Sequence, residues 1–301
     1  MKLYAPKYYK NFRCIADRCR HSCCIGWEID IDEVTAEKYA SLTDGYGKEI
    51  KNSIAAADPP HFILTDGERC PHLDERGLCR IITNLGEDCL CAICREHPRF
   101  YHDTPMGKEV GIGMACEEAC RIILGSGEYM IFEEIGEADG FPEPLEFDAL
   151  TRRAALYDIL ADDSVSHHQK LCRIGEEYDV SPALLSDEEW AEVLCSLEYL
   201  NEEHKGLFSV YSSCSDVTEN REKMLERFLA YFIFRYCSDA GSEDEFRISL
   251  GFCLFCERLF ASLLRRENVT EEDACELARI ISEEIEYSED NVEAIKFEFS
   301  F

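Results

Sequence analysis

Eleven of the chain's eighteen cysteines fall within its first 120 residues, most of them in tight sets. Cys14, Cys19, Cys23 and Cys24 form a Cys-x4-Cys-x3-Cys-Cys run, Cys70 and Cys79 flank "PHLDERGL", Cys91 and Cys94 form a Cys-x2-Cys, and Cys116 and Cys120 follow "GIGMA". Thiolates two to four residues apart can turn onto one tetrahedral ion or one iron–sulfur cluster without straining the backbone. Pro71 and Gly77 supply turns that let more distant thiolates converge. A disulfide framework is the rival explanation, but it belongs to small secreted chains that cannot build a sufficient core. With 301 residues this chain is long enough for a sizeable core, and its opening "MKLYAPKYYKNF" has no apolar signal-peptide region. The expectation is a thiol-bound metal in a reducing cytoplasm.

Charge is as uneven as cysteine. The net charge is -31, of which residues 1–120 contribute -5 and the remainder -26. Such a surface disfavours nucleic acid and anionic membrane and attracts a basic partner, such as a lysine-rich protein segment. The plainer alternative is that acidic helices only maintain solubility. No apolar run reaches the roughly 18 residues that a membrane span needs.

The expected fold is mainly α, with a loop-rich, cysteine- and metal-bound amino-terminal domain over residues 1–135, a linker over 136–147 ("GEADGFPEPLEF") and an acidic helical domain over 148–301. In the first part a helix is expected from about Glu33 to Leu42 behind an Asp32 cap, preceded by an extended segment in which Trp27, Ile29 and Ile31 alternate. In the second part the 3.6-residue period dominates. Ser186 and Glu189 spell a capping box. Met224, Leu225, Phe228, Leu229, Phe232, Ile233 and Tyr236 define one broad apolar face, and segments 150–161, 244–266 and 270–287 read the same way, Thr270 capping the last.

Seven later cysteines, Cys172, Cys195, Cys214, Cys237, Cys253, Cys256 and Cys275, are mostly scattered; Cys253 and Cys256 form a Cys-x2-Cys, but inside an apolar helical run, where they read as core. His72 and His97 sit beside metal-type cysteines and suit hydrogen bonds to thiolates better than direct ligation. Arg95 and Arg99 flank His97 and suit either charge compensation or a plain surface role. No Gly-x-Gly-x-x-Gly, P-loop or familiar radical S-adenosylmethionine loop is present.

The stretches "YYKNFRCIADRCRHSCCIGWEIDID", "CPHLDERGLCRIITNLGEDCLCAICREHPRF" and "GIGMACEEACRIIL", followed by "ERFLAYFIFRY" and "ARIISEEIEYSEDN", resemble the flagellin lysine N-methylases. Their cysteine-rich part also resembles a broader group of zinc- or iron-chelating proteins. The resemblance runs over nearly the whole chain. It implies methyl transfer from S-adenosylmethionine to lysine side chains of flagellin, with a 4Fe-4S cluster, or zinc as the alternative. The implied ligand candidates are Cys14, Cys19, Cys23, Cys24, Cys70, Cys79, Cys91, Cys94 and Cys116, more than one cluster needs. Cys89 and Cys120 stand where small residues are expected, and Glu283 where the pattern has Arg; Glu284, Glu286, Ser288 and Asn291 follow the pattern.

Methylating lysine requires a neutral amine, so a carboxylate, a tyrosinate or a desolvating pocket must favour proton loss. Glu284, Tyr287, Ser288 and Asn291 lie about one helical turn apart and are the expected substrate-facing set, with a solvated helix end as the alternative. No residue is singled out for S-adenosylmethionine. The competing function is a non-catalytic zinc- or iron-binding protein that docks a basic partner through its acidic helices.

Overall fold

The computed structural model describes residues 1–300 except 129, 143–146, 182–183, 214–218 and 267, with the side chains at 219–220 also left aside. Cys214 and part of the expected linker lie outside the described residues. In chain order the regular elements are β1 (Lys2–Pro6), α1 (Glu33–Ser41), α2 (Gly45–Asn52), α3 (Arg80–Leu85), α4 (Ala92–Glu96), β2 (Arg99–Thr104), β3 (Gly107–Ile112), α5 (Glu117–Gly125) and β4 (Phe132–Glu137). Then follow α6 (Ala149–Ala161), α7 (His167–Tyr178), α8 (Asp187–Ser196), α9 (Glu202–Phe208), α10 (Glu219–Cys237), α11 (Glu243–Leu264), α12 (Glu271–Ile281) and α13 (Glu289–Phe297).

The chain divides into one compact unit of Arg13–Phe100 and another made of Met1–Phe12 with Tyr101–Phe301. The expected domain break at 136–147 does not coincide with this division. The reason is a four-stranded sheet, ordered β2-β3-β1-β4, which the mainly α expectation did not include. β1 pairs parallel with β3 (Leu3 opposite Lys108) and antiparallel with β4 (Pro6 opposite Phe132), so residues 101–137 share a sheet with the chain's first six residues. Gly136 and Glu137, expected in the linker, are strand residues.

In the larger unit the helical expectations hold with sharper boundaries. Ser186 and Glu189 form the capping box of α8, and Thr270 with Asp273 that of α12. The apolar face of α10 packs along α11, with Phe228 stacked on Phe260 at 4.5 Å between ring centroids, and Trp190 from α8 lies 4.4 Å from Phe255. Each such ring, buried fully, contributes on the order of 2–3 kcal/mol. Cys237, Cys253 and Cys256 are buried here as small apolar side chains, with Cys237 Sγ 4.0 Å from Cys253 Sγ. Segment 270–287 is not one continuous helix: α12 ends at Ile281, a π-helical turn covers Ser282–Glu286, and Ser288 caps a new helix by accepting a bond from the Asn291 N–H.

Periodicity gave no sign of the charges inside this unit. Arg153 donates two bonds to Glu109 (2.6 and 2.7 Å) and one to Ser238. Glu257 lies between His167 (2.7 Å) and Arg258 (2.6 Å), and Lys170 donates to Glu226 at 2.5 Å. Buried charges persist only when paired in this way.

The smaller unit has short helices joined by turns and isolated bridges. Asp32 caps α1 by accepting the Thr35 N–H at 3.0 Å. The expected extended segment is present: Ile31 N–H bonds Pro60 O at 2.8 Å, and Phe62 N–H bonds Ile29 O at 3.0 Å. Ile29, Ile31, Tyr39, Ile50, Phe62 and Ile81 form its core, and Cys70 and Cys91 belong to the same cluster. Among the described residues no helix is long and apolar enough to cross a membrane.

Candidate functional site

Two constellations carry chemistry, one in each unit. In the smaller unit, backbone pairing brings distant cysteines together. The Cys70 N–H bonds Cys24 O at 2.8 Å and the Gly26 N–H bonds Glu68 O at 3.0 Å, which lays the two segments side by side. Asp74 Oδ1 accepts the N–H groups of Arg76 and Leu78, Gly77 takes φ +79°, and the tight turn they form brings Leu73 opposite Cys79. Cys79 and Cys91 stand at the N-caps of α3 and α4, and Cys94 lies one turn after Cys91. Tyr39 Oη donates to Cys89 O at 2.7 Å and lies 3.6 Å from Cys91 Sγ.

Cys24, Cys70, Cys79, Cys91 and Cys94 therefore pack into one interior together with Cys89, whose Sγ donates to Leu85 O at 3.5 Å; Cys70 and Cys91 are buried and the other four half-buried. Their acidities show that they feel one another. Hydrogen bonding from Cys23, helped by Ser22 and Arg69, pulls Cys24 down to about 7 against its burial, while burial pushes Cys70 up to about 12 and also raises Cys79. A bond from Cys94 lowers Cys91, and the same contact, together with burial, raises Cys94. A cation would relieve this competition for protons, since thiolates bind metals and thiols do not.

The other expected ligands lie elsewhere. Cys14 and Cys23 are exposed, and Cys23 hydrogen-bonds Cys24. Cys19 Sγ contacts His21 O at 3.1 Å. Cys116 belongs to the other unit, as the N-cap of α5. Cys120, on the same helix, donates to Cys275 O at 3.2 Å. No disulfide joins any two of the described cysteines. His72 is occupied at both nitrogens, by Tyr46 Oη (3.2 Å) and Ser53 Oγ (2.9 Å), and burial lowers it to about 4, so it braces the core as a neutral ring. His97 is likewise held near 4 by burial and Arg99, and its buried Nε2 has no hydrogen-bond partner.

In the larger unit the four residues expected to face substrate are brought close in space, but not on one helical face. Glu284 is buried and accepts the N–H groups of Leu200 (2.8 Å) and Asn201 (3.2 Å). Asn291 ties Glu198 to the turn, accepting the Glu198 N–H and donating to Glu198 O and Glu284 O. Ser288 caps α13, and Tyr287 presents its ring to Arg235, 5.8 Å from centroid to guanidinium carbon.

Glu286, which follows the resembling pattern but lies outside the expected substrate-facing set, is the centre of a denser group. Arg235 Nε meets its Oε1 at 3.0 Å, and Tyr231 Oη donates to the carboxylate at 3.1 and 3.2 Å. Tyr231 Oη in turn accepts the Met114 N–H (3.1 Å) and Arg235 Nη1 (3.3 Å). Burial pushes Glu286 up, against the pull of Arg235 and the hydroxyls, and burial also raises Tyr231. A π-helical turn, an arrangement that recurs at functional sites, presents the carboxylate. The signal available in the sequence was the set of resembling stretches, three of which meet here: Met114 from "GIGMACEEACRIIL", Tyr231 and Arg235 from "ERFLAYFIFRY", and Glu286 from "ARIISEEIEYSEDN".

No family model matches the chain, and no solved structure matches it. Among curated proteins it is 30% identical over 143 residues to a lysine-N-methylase of Salmonella choleraesuis, covering 43% of this chain and 34% of that protein. The same figures describe a lysine-N-methylase of Salmonella typhimurium. A flagellar biosynthetic protein, FliU, of Salmonella muenchen is 28% identical over 136 residues, covering 43% of this chain and 80% of that protein. The chain thus spans about a third of the length of the two lysine-N-methylases, and the matched stretch is shorter than the nearly full-length resemblance expected.

Proposed function

We propose that this chain, related in sequence to the lysine-N-methylases, transfers methyl groups from S-adenosylmethionine to lysine side chains of flagellin in the reducing cytoplasm. The similarity to proteins of that name is the observation that carries the proposal. The name of the flagellar relative supports flagellin as the substrate. The strongly acidic composition suits a lysine-bearing partner.

The thiol nest fits a metal group: five soft donors from three separate segments share one interior. Four of Cys24, Cys70, Cys79, Cys91 and Cys94 would hold a 4Fe-4S cluster, which would supply a fold-stabilising, redox-capable centre. Zinc held by four of the same thiolates is the alternative.

In the larger unit, Glu286 with Tyr231 is the carboxylate–phenol pair suited to accept the proton that the substrate ammonium must lose. The Arg235 cation beside them disfavours a second positive charge and so favours the neutral amine. Tyr287 and Arg235, both half-buried, form the rim at which a lysine side chain would arrive, while Glu284, Ser288 and Asn291 fix the turn behind it.

The test incubates anaerobically purified full-length protein with S-adenosylmethionine and flagellin and reads lysine methylation by mass spectrometry. Increments of 14 mass units on flagellin lysines, about the mass of one CH2, are expected. A metal-replete protein that neither binds S-adenosylmethionine nor modifies flagellin returns the chain to the alternative, a non-catalytic metal protein that docks a basic partner. Iron and acid-labile sulfide are expected in the same preparation; zinc without sulfide would remove the cluster.

A further inference from the structure

Beside the Glu286 group, and taking no part in the chemistry proposed above, three metal-type donors converge. The side chains of His204, Glu283 and Glu284 offer one ring nitrogen and two carboxylate oxygens that all lie within 4.8 Å of one another. His204 Nδ1 is 2.5 Å from Glu284 Oε1. The π-helical turn over Ser282–Glu286 carries both glutamates: Glu284 contacts the imidazole directly, and the Glu283 carboxylate, held by Arg279, lies within 4.8 Å of the same donors. The Glu284 side chain is fully buried, whereas those of His204 and Glu283 keep 17% and 21% of their exposure, which leaves the group open to solvent on one side.

The two carboxylates differ in their countercharge. Arg279 is shared between Glu276 (2.9 Å) and Glu283 (2.8 Å). Glu284 makes no ion pair with lysine or arginine among the described residues; the N–H groups of Leu200 and Asn201 and the imidazole are its partners. Glu284 is thus a fully buried carboxylate met by two N–H groups and an imidazole, with no lysine or arginine beside it among the described residues. Burying a carboxylate without a countercharge is costly. A dication held by the imidazole and the two carboxylates would supply that countercharge.

We propose that His204, Glu283 and Glu284 form a divalent-cation site. One imidazole and two carboxylates make a mixed nitrogen and oxygen donor set suited to Mn2+, Fe2+ or Zn2+ and unlike the soft thiols of the smaller unit. The supporting contacts are in place: two backbone N–H groups orient Glu284, and Arg279 orients Glu283. Bound there, the ion ties the first turn of α9 to the turn that presents Glu286. The site stands whether or not the chain is a methylase.

The experiment titrates Mn2+ into the full-length, anaerobically purified protein and follows the six-line electron paramagnetic resonance signal of the free ion, Mn2+ being chosen because thiolates select softer metals. One ion sequestered per chain is expected, together with a thermal midpoint that rises with Mn2+. His204→Ala and Glu283→Gln alter half-exposed side chains; each is expected to weaken binding at least tenfold and to abolish the rise in midpoint, with unchanged circular dichroism. Glu283→Asp, which keeps the charge, is expected to retain measurable binding. No sequestration at millimolar Mn2+, or equal affinity in His204→Ala, overturns the assignment.

Discussion

Replacing Glu286 by Gln keeps the side-chain volume and removes one charge from the most connected group in the larger unit. The carboxylate is fully buried and pairs with Arg235 at 3.0 Å, while the Tyr231 hydroxyl can still donate to the amide oxygen of the variant. The loss is therefore the ion pair, and the guanidinium is left without its countercharge. Breaking a buried pair by removing one partner costs roughly 3–5 kcal/mol. Because the Arg235 side chain keeps 17% of its exposure, water recovers part of that penalty, and about 3 kcal/mol is the expected loss. For a unit of this size each kcal/mol lowers the melting temperature by about 2–4 °C, so a fall of about 6–12 °C is expected by calorimetry. Arg235→Met should be comparably damaging alone and should partly rescue Glu286→Gln in the double variant, because the orphaned charge is then gone. Methyl transfer by Glu286→Gln, measured well below its melting temperature, should fall at least tenfold, as expected for loss of a proton acceptor. A midpoint within about 1 °C of wild type, or strictly additive single and double variants, would refute the electrostatic argument.

The cysteines should separate into tiers: Cys70→Ala and Cys91→Ala are expected to lower the metal-to-protein ratio and unfold the smaller unit, whereas Cys253→Ala and Cys256→Ala should cost about 1 kcal/mol and leave metal content unchanged. Equal metal loss in both tiers would break the ligand assignment. Burial alone would raise Glu257, but Arg258 and His167 hold it at about 2, below the usual 4.5. That stabilisation is present above the unfolded value and is lost as pH falls from about 4.5 to 2; urea titrations should show on the order of 3 kcal/mol of acid sensitivity that Glu257→Gln lacks. Gly107 takes φ +144°, and a Cβ there would stand 2.4 Å from the Lys2 carbonyl oxygen, so Gly107→Ala should lose more than about 1 kcal/mol in chemical denaturation.

Much of the helical architecture was legible because caps and periodicity are local. Asp32, Ser186 and Thr270 each announce a helix start within four residues, and the α10 stripe can face only a core. The sheet was not legible, since β1 finds its partners a hundred residues away and no hairpin turn joins it to either neighbour. Cysteine spacing pointed to metal chemistry, yet it could not tell Cys14 from Cys70, because convergence depends on Cys24 pairing with Cys70 across a long loop. The break at Ser282–Glu286 has the same cause: "SEEIEY" is good helix-forming sequence, and its widening is fixed by tertiary partners such as Tyr231 and Leu200. Glu284 was singled out because it shares a helical spacing with Tyr287, Ser288 and Asn291, and Glu286 was passed over because only the tertiary fold brings Arg235 beside it.

β1 lies between β3 and β4, although Arg13–Phe100 separates it from them in the chain. In topological terms the cysteine-bearing unit is a guest inserted into its host, and closing the host's sheet means closing a loop of 88 residues. Were that guest unstructured, the length-dependent closure entropy would be about 4 kcal/mol at 25 °C; a folded guest meets that requirement in advance by fixing its two ends. Oxidation or chelation in the cysteine nest would then be felt as a loosened sheet in a unit that contributes none of the nest's five thiols. During synthesis, too, the ribosome must release residues beyond Glu137 before β1 can acquire both neighbours, so the first strand made is among the last to be secured.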